Sequence, residues 1–278
     1  MRTKILTKMI TQVNSKSVDQ SALGKVHLVG AGPGAADLIT VRGLRLLQSA
    51  DCVLHDALVS PDLLAYAPQA ELIGVGKRCG QLSSAQQFIN KQIIDAAHKF
   101  TTVVRLKGGD PMLFGRAEEE IAALEAAGID YEVVPGVTAA LAASAALAAP
   151  LTQRGIARSV AFITPSMGHA QPENAWEAQT VGADTLVFYM GRRIAAEIAL
   201  RLLNLGRPLD LPVAVIEHAS WPQQRVQYTD LASLATRPES LAWSDAPTLI
   251  VMGEVLRSRA NQRLSNLIHD AQAAAKRA

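Results

Sequence analysis

From Lys25 onward the chain alternates short apolar runs with helical patterns, and no other feature limits its fold so sharply. Val26 to Val29, Cys52 to His55, Leu72 to Val75, Val103 to Leu106 and Tyr131 to Val134 each have the length and the bounding turns of a strand. Helical stretches separate most of them, at Val41 to Gln48, Gln86 to Lys99 and Ala117 to Ala127. The second of these carries Phe88, Ile89, Ile93, Ala96 and Ala97 on a helical period. Strands separated by helices imply parallel β/α units and an α/β fold. Glu118, Glu119 and Glu120 open the helix at Ala117, where the helix dipole favours negative charge, and Gly128 closes it.

After Pro135-Gly136 an alanine-rich helix runs to Pro150 and a second set of elements begins. Its strands are Ser159 to Thr164, Thr185 to Met190, Val213 to Glu217, Arg225 to Tyr228 and Thr248 to Met252, with a helix over Ile194 to Leu205. Pro165 to Gly182, with Gly168 and Pro172, reads as an exposed loop. A chain of 278 residues at 49% hydrophobic content suffices for two ordinary domains. The expected division is a flexible tail over 1–24, an α/β domain over 25–140, a second over 141–257 and a C-terminal tail over 258–278.

Composition excludes several classes. The 27 basic and 25 acidic residues, net charge +2, argue against a nucleic-acid binder. Val137 to Pro150 is too short and too weakly apolar to span a bilayer, and residues 1–24 lack the apolar core of a secretory signal, so neither membrane nor export is expected. Cys52 and Cys79 are too few for a disulfide scaffold, which fits a reducing cytoplasm. His27, His55, His98, His169, His218 and His269 show no paired ligand spacing, so no metal is expected.

Chemistry concentrates in glycine turns at strand ends. Val103 to Leu106 runs into Lys107-Gly108-Gly109-Asp110-Pro111, then Leu113 and Arg116; here glycine bares the backbone and Asp110 offers an acceptor to a small polar ligand. Upstream, Gly30-Ala31-Gly32-Pro33-Gly34 is close to the dinucleotide fingerprint, with alanine at the third glycine position and Pro33 inside the turn. A plain structural turn and an NAD-dependent oxidoreductase, with Asp56 as the ribose-binding acid, both stay open on that motif. Downstream, Met190 ends a strand before Gly191, where a methionine is ordinarily a core gap-filler.

Taken in order, Gly30 to Gly34, Asp56 with Leu58-Val59, Val75 to Gly80, Val104 to Arg116, Val134 to Ala140, Pro150-Leu151-Thr152, Leu186 to Gly191 and Pro247 to Gly253 resemble the tetrapyrrole methylase family, and within it the uroporphyrinogen-III C-methyltransferases. The resemblance extends from about Val26 to Met252 and implies two α/β domains with the cofactor cleft between them. It implies S-adenosylmethionine as methyl donor, held by Pro33, Gly108, Gly109, Asp110, Leu113, Thr138, Ala139, Met190 and Ala219. Asp56 and Lys77 map onto the family's proton acceptor and proton donor; a solvated surface lysine is the blander account of Lys77.

The substrate so implied is a polycarboxylate tetrapyrrole, for which forked guanidinium groups are suited anchors. Arg116 is the first candidate, with Arg78 and Arg154 behind it, and Glu119 either steadies Arg116 or forms an ordinary i,i+3 surface pair. Members of the family are usually homodimers. The chain departs from the family at His55-Asp56-Ala57 for Tyr-Asp-Arg, at Gln153 for histidine, and at His218-Ala219, where asparagine and glycine are common. A later corrin-ring C-methyltransferase and a non-catalytic binding paralogue remain alternatives, the second on the substitutions at Ala57 and Gln153.

Overall fold

The computed structural model describes residues 23–75, 82–165 and 176–263, with 265 and 269 beyond. The first lobe is a parallel sheet of β1 (Lys25–Gly30), β2 (Cys52–His55), β3 (Glu71–Gly74), β4 (Thr102–Lys107) and β5 (Tyr131–Val134), in the order β3-β2-β4-β1-β5. The connecting helices are α1 (Val41–Ser49), α2 (Pro61–Leu64), α3 (Leu82–Lys99) and α4 (Ala117–Ala126). They cover both faces. Leu28, Leu54 and Val103 pack with Ile93 and Leu124 on one side, and Val29, Val53 and Val104 with Leu47 and Leu63 on the other. A sheet buried on both faces needs apolar residues throughout, which is why its strands read as short continuous runs.

The second lobe differs in kind. Its helices are α5 (Ala139–Leu147), α6 (Trp176–Thr180), α7 (Ala195–Asn204) and α8 (Leu231–Thr236). Its strands are β6 (Val160–Ile163), β7 (Thr185–Tyr189), β8 (Pro212–Glu217), β9 (Arg225–Asp230) and β10 (Thr248–Met252), in the order β6-β7-β10-β8-β9. β6 and β7 are parallel, but β10 enters antiparallel between β7 and β8, and β9 pairs antiparallel with β8. Phe188, Ile250, Ile198 and Leu234 fill one face; Val187, Ile216 and Val251 with Ala140, Ala143 and Leu147 of α5 fill the other.

Three local expectations change. The reading of Pro165 to Gly182 as an exposed loop is corrected at its end, where α6 buries Trp176 and Thr180 and sets the Trp176 ring edge-on to Phe188 at 5.3 Å. Residues 166–175 lie outside the described residues. The alanine-rich helix stops at Leu147, with Ala148 left-handed at φ 46, short of Pro150. Two helices absent from the sequence reading are capped by their own sequence: α2 by Ser60, whose Oγ accepts from the Asp62 N–H, and α8 by Asp230, whose carboxylate accepts from the Ser233 N–H at 2.7 Å. Among the described residues no helix is long and apolar enough to cross a membrane.

Candidate active site

In an open parallel sheet the loops at the carboxyl ends of the strands converge on one edge, and ligands bind there. The described candidates at strand ends of the first lobe occupy that edge. Pro33 follows β1, Asp56 follows β2, Gly108 to Arg116 follow β4, and Thr138 follows β5. In the second lobe β7 and β8 run the same way, both opposite to β10, so Met190 and Ala219 share an edge too. Lys77 and Arg78 lie outside the described residues.

Glycine is required where these turns meet. The Gly32 and Gly109 N–H groups each donate to the other's carbonyl, at 3.2 and 2.7 Å, which joins the first turn to the second. A Cβ on Gly136 would stand 2.3 Å from the Gly109 carbonyl oxygen, and one on Gly30 2.5 Å from the Gly136 Cα, so three backbones cross at a spacing no side chain permits. On the open side the reverse holds. A Cβ on Gly108 would meet only Leu58 at 3.7 Å, and one on Gly109 only the Thr138 Cα at 4.0 Å. Bare backbone there leaves open the space where a side chain would stand.

The two lobes touch across this space. Trp221 donates its indole N–H to the Pro33 carbonyl at 3.1 Å, and the Ala35 N–H donates to Ser220 Oγ at 3.0 Å. Tyr189 bonds Thr138 Oγ1 at 2.7 Å and accepts from the Ala140 N–H at 3.2 Å; burial pushes its phenol up, so the hydroxyl keeps its proton. Phe114 meets Tyr189 edge-on at 5.0 Å. Five of the six non-glycine residues with positive φ among those described, Phe114, Arg116, Met190, His218 and Ser220, belong to these loops. Left-handed backbone costs about 1–3 kcal/mol per residue and collects at ligand sites. Met190 is 59% exposed, which a core gap-filler would not be.

Asp110 is engaged inside the protein. Its Oδ1 accepts the Met112 N–H at 2.8 Å and its Oδ2 the Gly136 N–H at 2.9 Å, tying the turn after β4 to the turn after β5. Leu113 sits half-buried in the same turn. Arg116 caps α4 with left-handed backbone, and its guanidinium grips Glu119 through Nε at 2.6 Å and Nη2 at 2.7 Å. Arg154 stands exposed in the tight turn closed by Gln153 and Ala157, and no contact of its side chain joins it to the cleft loops among the described residues.

Sequence reasoning missed a buried ionic chain beneath Asp56. Arg105 and Lys107, two apart on β4, project to one face, and both are only 2% exposed. Arg105 Nη2 holds Asp56 Oδ1 at 2.5 Å and Nε holds Glu120 Oε1 at 3.0 Å; Lys107 Nζ holds Glu120 Oε2 at 2.8 Å. Glu120 stands in the first turn of α4 as expected, but it is only 1% exposed and neutralises two cations. Burial, reinforced by the Arg105 charge and opposed by Glu120, pushes the Lys107 ammonium below its ordinary value. Of these four side chains only Asp56 opens to the cleft, 34% exposed and with Oδ2 3.4 Å from the Gly108 N.

Glu217, the residue before His218, is likewise a buried carboxylate, 1% exposed. Burial pushes its carboxyl up, but the N–H and O–H of Ser244, at 2.8 and 2.9 Å, and the Arg225 Nε at 2.8 Å outweigh it and hold the group below the usual carboxylate value. A depressed folded value adds stability above the unfolded value of about 4.3, and that stability is lost as pH falls through the folded value. The stability gap between the natural chain and E217Q is therefore expected to be constant above about pH 5 and to shrink below about pH 4 in urea titrations. A gap that grew towards acid would contradict this.

The dinucleotide alternative fares poorly on geometry. That fingerprint sets its turn directly on a helix N-terminus. Here the turn leads into a three-residue 3₁₀ segment, Ala36–Leu38, and α1 starts at Val41 under the Thr40 cap. Asp56, the acid that reading needs for a ribose, is already pinned by Arg105.

Comparison with known proteins gives the family and the fold. A family model for tetrapyrrole (corrin/porphyrin) methylases matches residues 25–235. The uroporphyrinogen-III C-methyltransferase of Pseudomonas aeruginosa is 45% identical over 244 residues, covering 87% of this chain and 98% of that protein. A siroheme synthase of Psychrobacter sp. is 44% identical over 243 residues, 87% of this chain but 50% of the relative, so the chain spans about half the length of such proteins. Among solved structures, the uroporphyrin-III C-methyl transferase of Thermus thermophilus complexed with S-adenyl homocysteine superposes with a TM-score of 0.72 at 37% identity, covering 84% of this chain and 100% of that one.

Proposed function

We propose that this chain, which belongs to the tetrapyrrole (corrin/porphyrin) methylase family, transfers methyl groups from S-adenosylmethionine to two ring carbons of uroporphyrinogen III, through precorrin-1 to precorrin-2. The observation that carries the reading is the convergence of carboxyl-edge turns from both sheets on bare glycine backbone, with the Asp56 carboxylate at its margin. The product would feed sirohaem, cobalamin or haem d1 synthesis, and the siroheme synthases among the relatives support the first. On the same resemblance we assign the enzyme to the cytoplasm as a homodimer.

The residues present fit the methyl donor. Gly108 and Gly109 leave backbone with room on its open side, and on the resemblance we assign Pro33, Leu113, Thr138, Ala139, Met190 and Ala219, which follow strands of both lobes, to the same ligand. S-adenosylmethionine, when bound, supplies a methyl group on a sulfonium sulfur that keeps the bonding pair as the methyl leaves. Alignment of reactants alone supplies roughly 7–11 kcal/mol of barrier reduction, so the interlobe bonds of Trp221, Ser220 and Tyr189, which fix the two edges, do much of the work. Asp56 then faces a ring that has gained a carbon–carbon bond and a positive charge. It stabilises that charge and accepts the proton whose loss restores neutrality to the ring. Lys77 is assigned as the proton donor from the resemblance alone.

To Arg116, about 41% exposed and steadied by Glu119, we assign the holding of substrate carboxylates. Arg116→Leu is expected to leave S-adenosylhomocysteine affinity unchanged and to raise the tetrapyrrole KM or abolish turnover; a change in thermal stability alone would make Arg116 structural. Asp110→Ala releases the tie between two turns and is expected to weaken S-adenosylhomocysteine binding by about 1–3 kcal/mol in calorimetry. Unchanged affinity would remove Asp110 from the site. The donor itself is tested by titrating the protein with S-adenosylhomocysteine and, separately, with NADH. Binding of the first alone is expected, and binding of NADH alone would contradict the assignment.

A further inference from the structure

We propose that Arg105 is a positioning residue for Asp56, and that Glu120 and Lys107 exist to hold Arg105 in place. The proposal rests on the reading of Asp56 as the proton acceptor.

The geometry is that of a ratchet with one open end. The guanidinium of Arg105 has three separate attachments: Nε to Glu120 Oε1 at 3.0 Å, Nη1 to the Leu106 carbonyl at 3.2 Å and Nη2 to Asp56 Oδ1 at 2.5 Å. A planar fork held at three points has no remaining rotamer freedom, and arginine stays charged in any protein interior. Glu120 is in turn fixed from its other oxygen by Lys107 at 2.8 Å, and Gly115 lies against the Lys107 side chain. Only Asp56 reaches the cleft; the other three side chains are 0–3% exposed.

The consequence is selective for one oxygen. Oδ1 of Asp56 is committed to Arg105, whereas Oδ2 has only the long Gly108 N–H contact among the described residues. Oδ2 is thus the oxygen free to take a proton from the ring, and Arg105 sets where it points relative to the Gly108-Gly109 floor. A buried network of two cations and two anions is poor at adding stability over an apolar core of equal volume. Its retention beneath a cleft carboxylate is what positioning requires.

Lysine at position 105 keeps the charge but supplies a point contact in place of the fork, so it cannot serve Glu120 and Asp56 together. Misplacement on the order of 1 Å can cost about 100-fold in rate. R105K is therefore expected to lower kcat about 10- to 100-fold while KM for both substrates and S-adenosylhomocysteine affinity stay within about twofold. In an Asp56→Asn background the same substitution is expected to change kcat by less than about twofold, because the group it positions is already gone.

Equal losses from R105K in both backgrounds would overturn the proposal, as would a loss seen only in cofactor affinity or melting temperature. Should R105K fail to accumulate folded, E120Q loosens Arg105 from beneath and is read by the same cycle. Uroporphyrinogen III methylation by the unsubstituted chain is measured alongside. If that is absent while S-adenosylhomocysteine binds, the acceptor assignment fails, and the Arg105–Asp56 link is read instead from urea midpoints of the same four chains. Additive midpoints would then sink it, because the two side chains would not act on one another.

Discussion

Glu120→Ala is expected to destabilise the protein by about 3–5 kcal/mol, far more than a change at any exposed position of α4. Removing this carboxylate strands Arg105 and Lys107, each 2% exposed, with no buried anion between them. Arg105 keeps Asp56 and the Leu106 carbonyl, but Lys107 loses the partner that offsets its desolvation. The neighbouring Glu119→Ala supplies the control. The Glu119 side chain is about half exposed and bonds only Arg116 among the described contacts, so its loss should cost no more than about 1 kcal/mol. Urea unfolding of the two variants beside the natural chain checks the contrast. Equal, small losses would mean that the ionic chain is open to water.

Asp56→Asn is expected to lower kcat by about 10²–10⁴-fold while leaving S-adenosylhomocysteine affinity and fold intact. Asparagine has the same shape, and its oxygen can still accept from Arg105 Nη2, so the turn after β2 keeps its place. What it loses is negative charge and basicity. A carboxylate at the cleft margin both stabilises positive charge on the ring and accepts a proton; an amide does neither well. Single-turnover methyl transfer monitored by mass separates these steps. An unchanged rate would make Asp56 a structural end to the ionic chain and would transfer the search for a base to another residue.

Much of the fold was legible because it rests on burial. The strands that became β1, β2, β4, β5, β7 and β10 are apolar runs bounded by turn residues, and each was placed to within a residue or so. The antiparallel insertion of β10 between β7 and β8 was not legible, since pairing direction in a sheet buried on both faces leaves no periodic mark. α6 escaped because its anchors, Trp176 against Phe188 and Glu177 against Arg201, sit singly in a polar stretch. α2 and α8 did carry a signal in Ser60-Pro61 and Asp230, capping residues that could have been weighed.

The site divides in the same way. The glycine turns were readable because their backbone crossings tolerate no Cβ, a constraint that acts on residue type directly. The chain from Lys107 through Glu120 and Arg105 to Asp56 was not. A charged residue at a strand position reads as a solvated one unless its partner is known, and here the partners lie 13, 15 and 49 residues away. Asp110 is the intermediate case: its carboxylate was noticed, but that both oxygens bind backbone N–H groups of adjoining turns depends on where Gly136 is brought in space.

The central claim is that this cleft moves methyl groups onto a tetrapyrrole. The most direct test is to incubate the purified chain anaerobically with S-adenosylmethionine and freshly generated uroporphyrinogen III, then to weigh the oxidised tetrapyrrole by mass spectrometry. Gain of two methyl groups is the predicted result. No gain, with S-adenosylhomocysteine still bound, would contradict the assigned acceptor and leave a donor site in search of another ring.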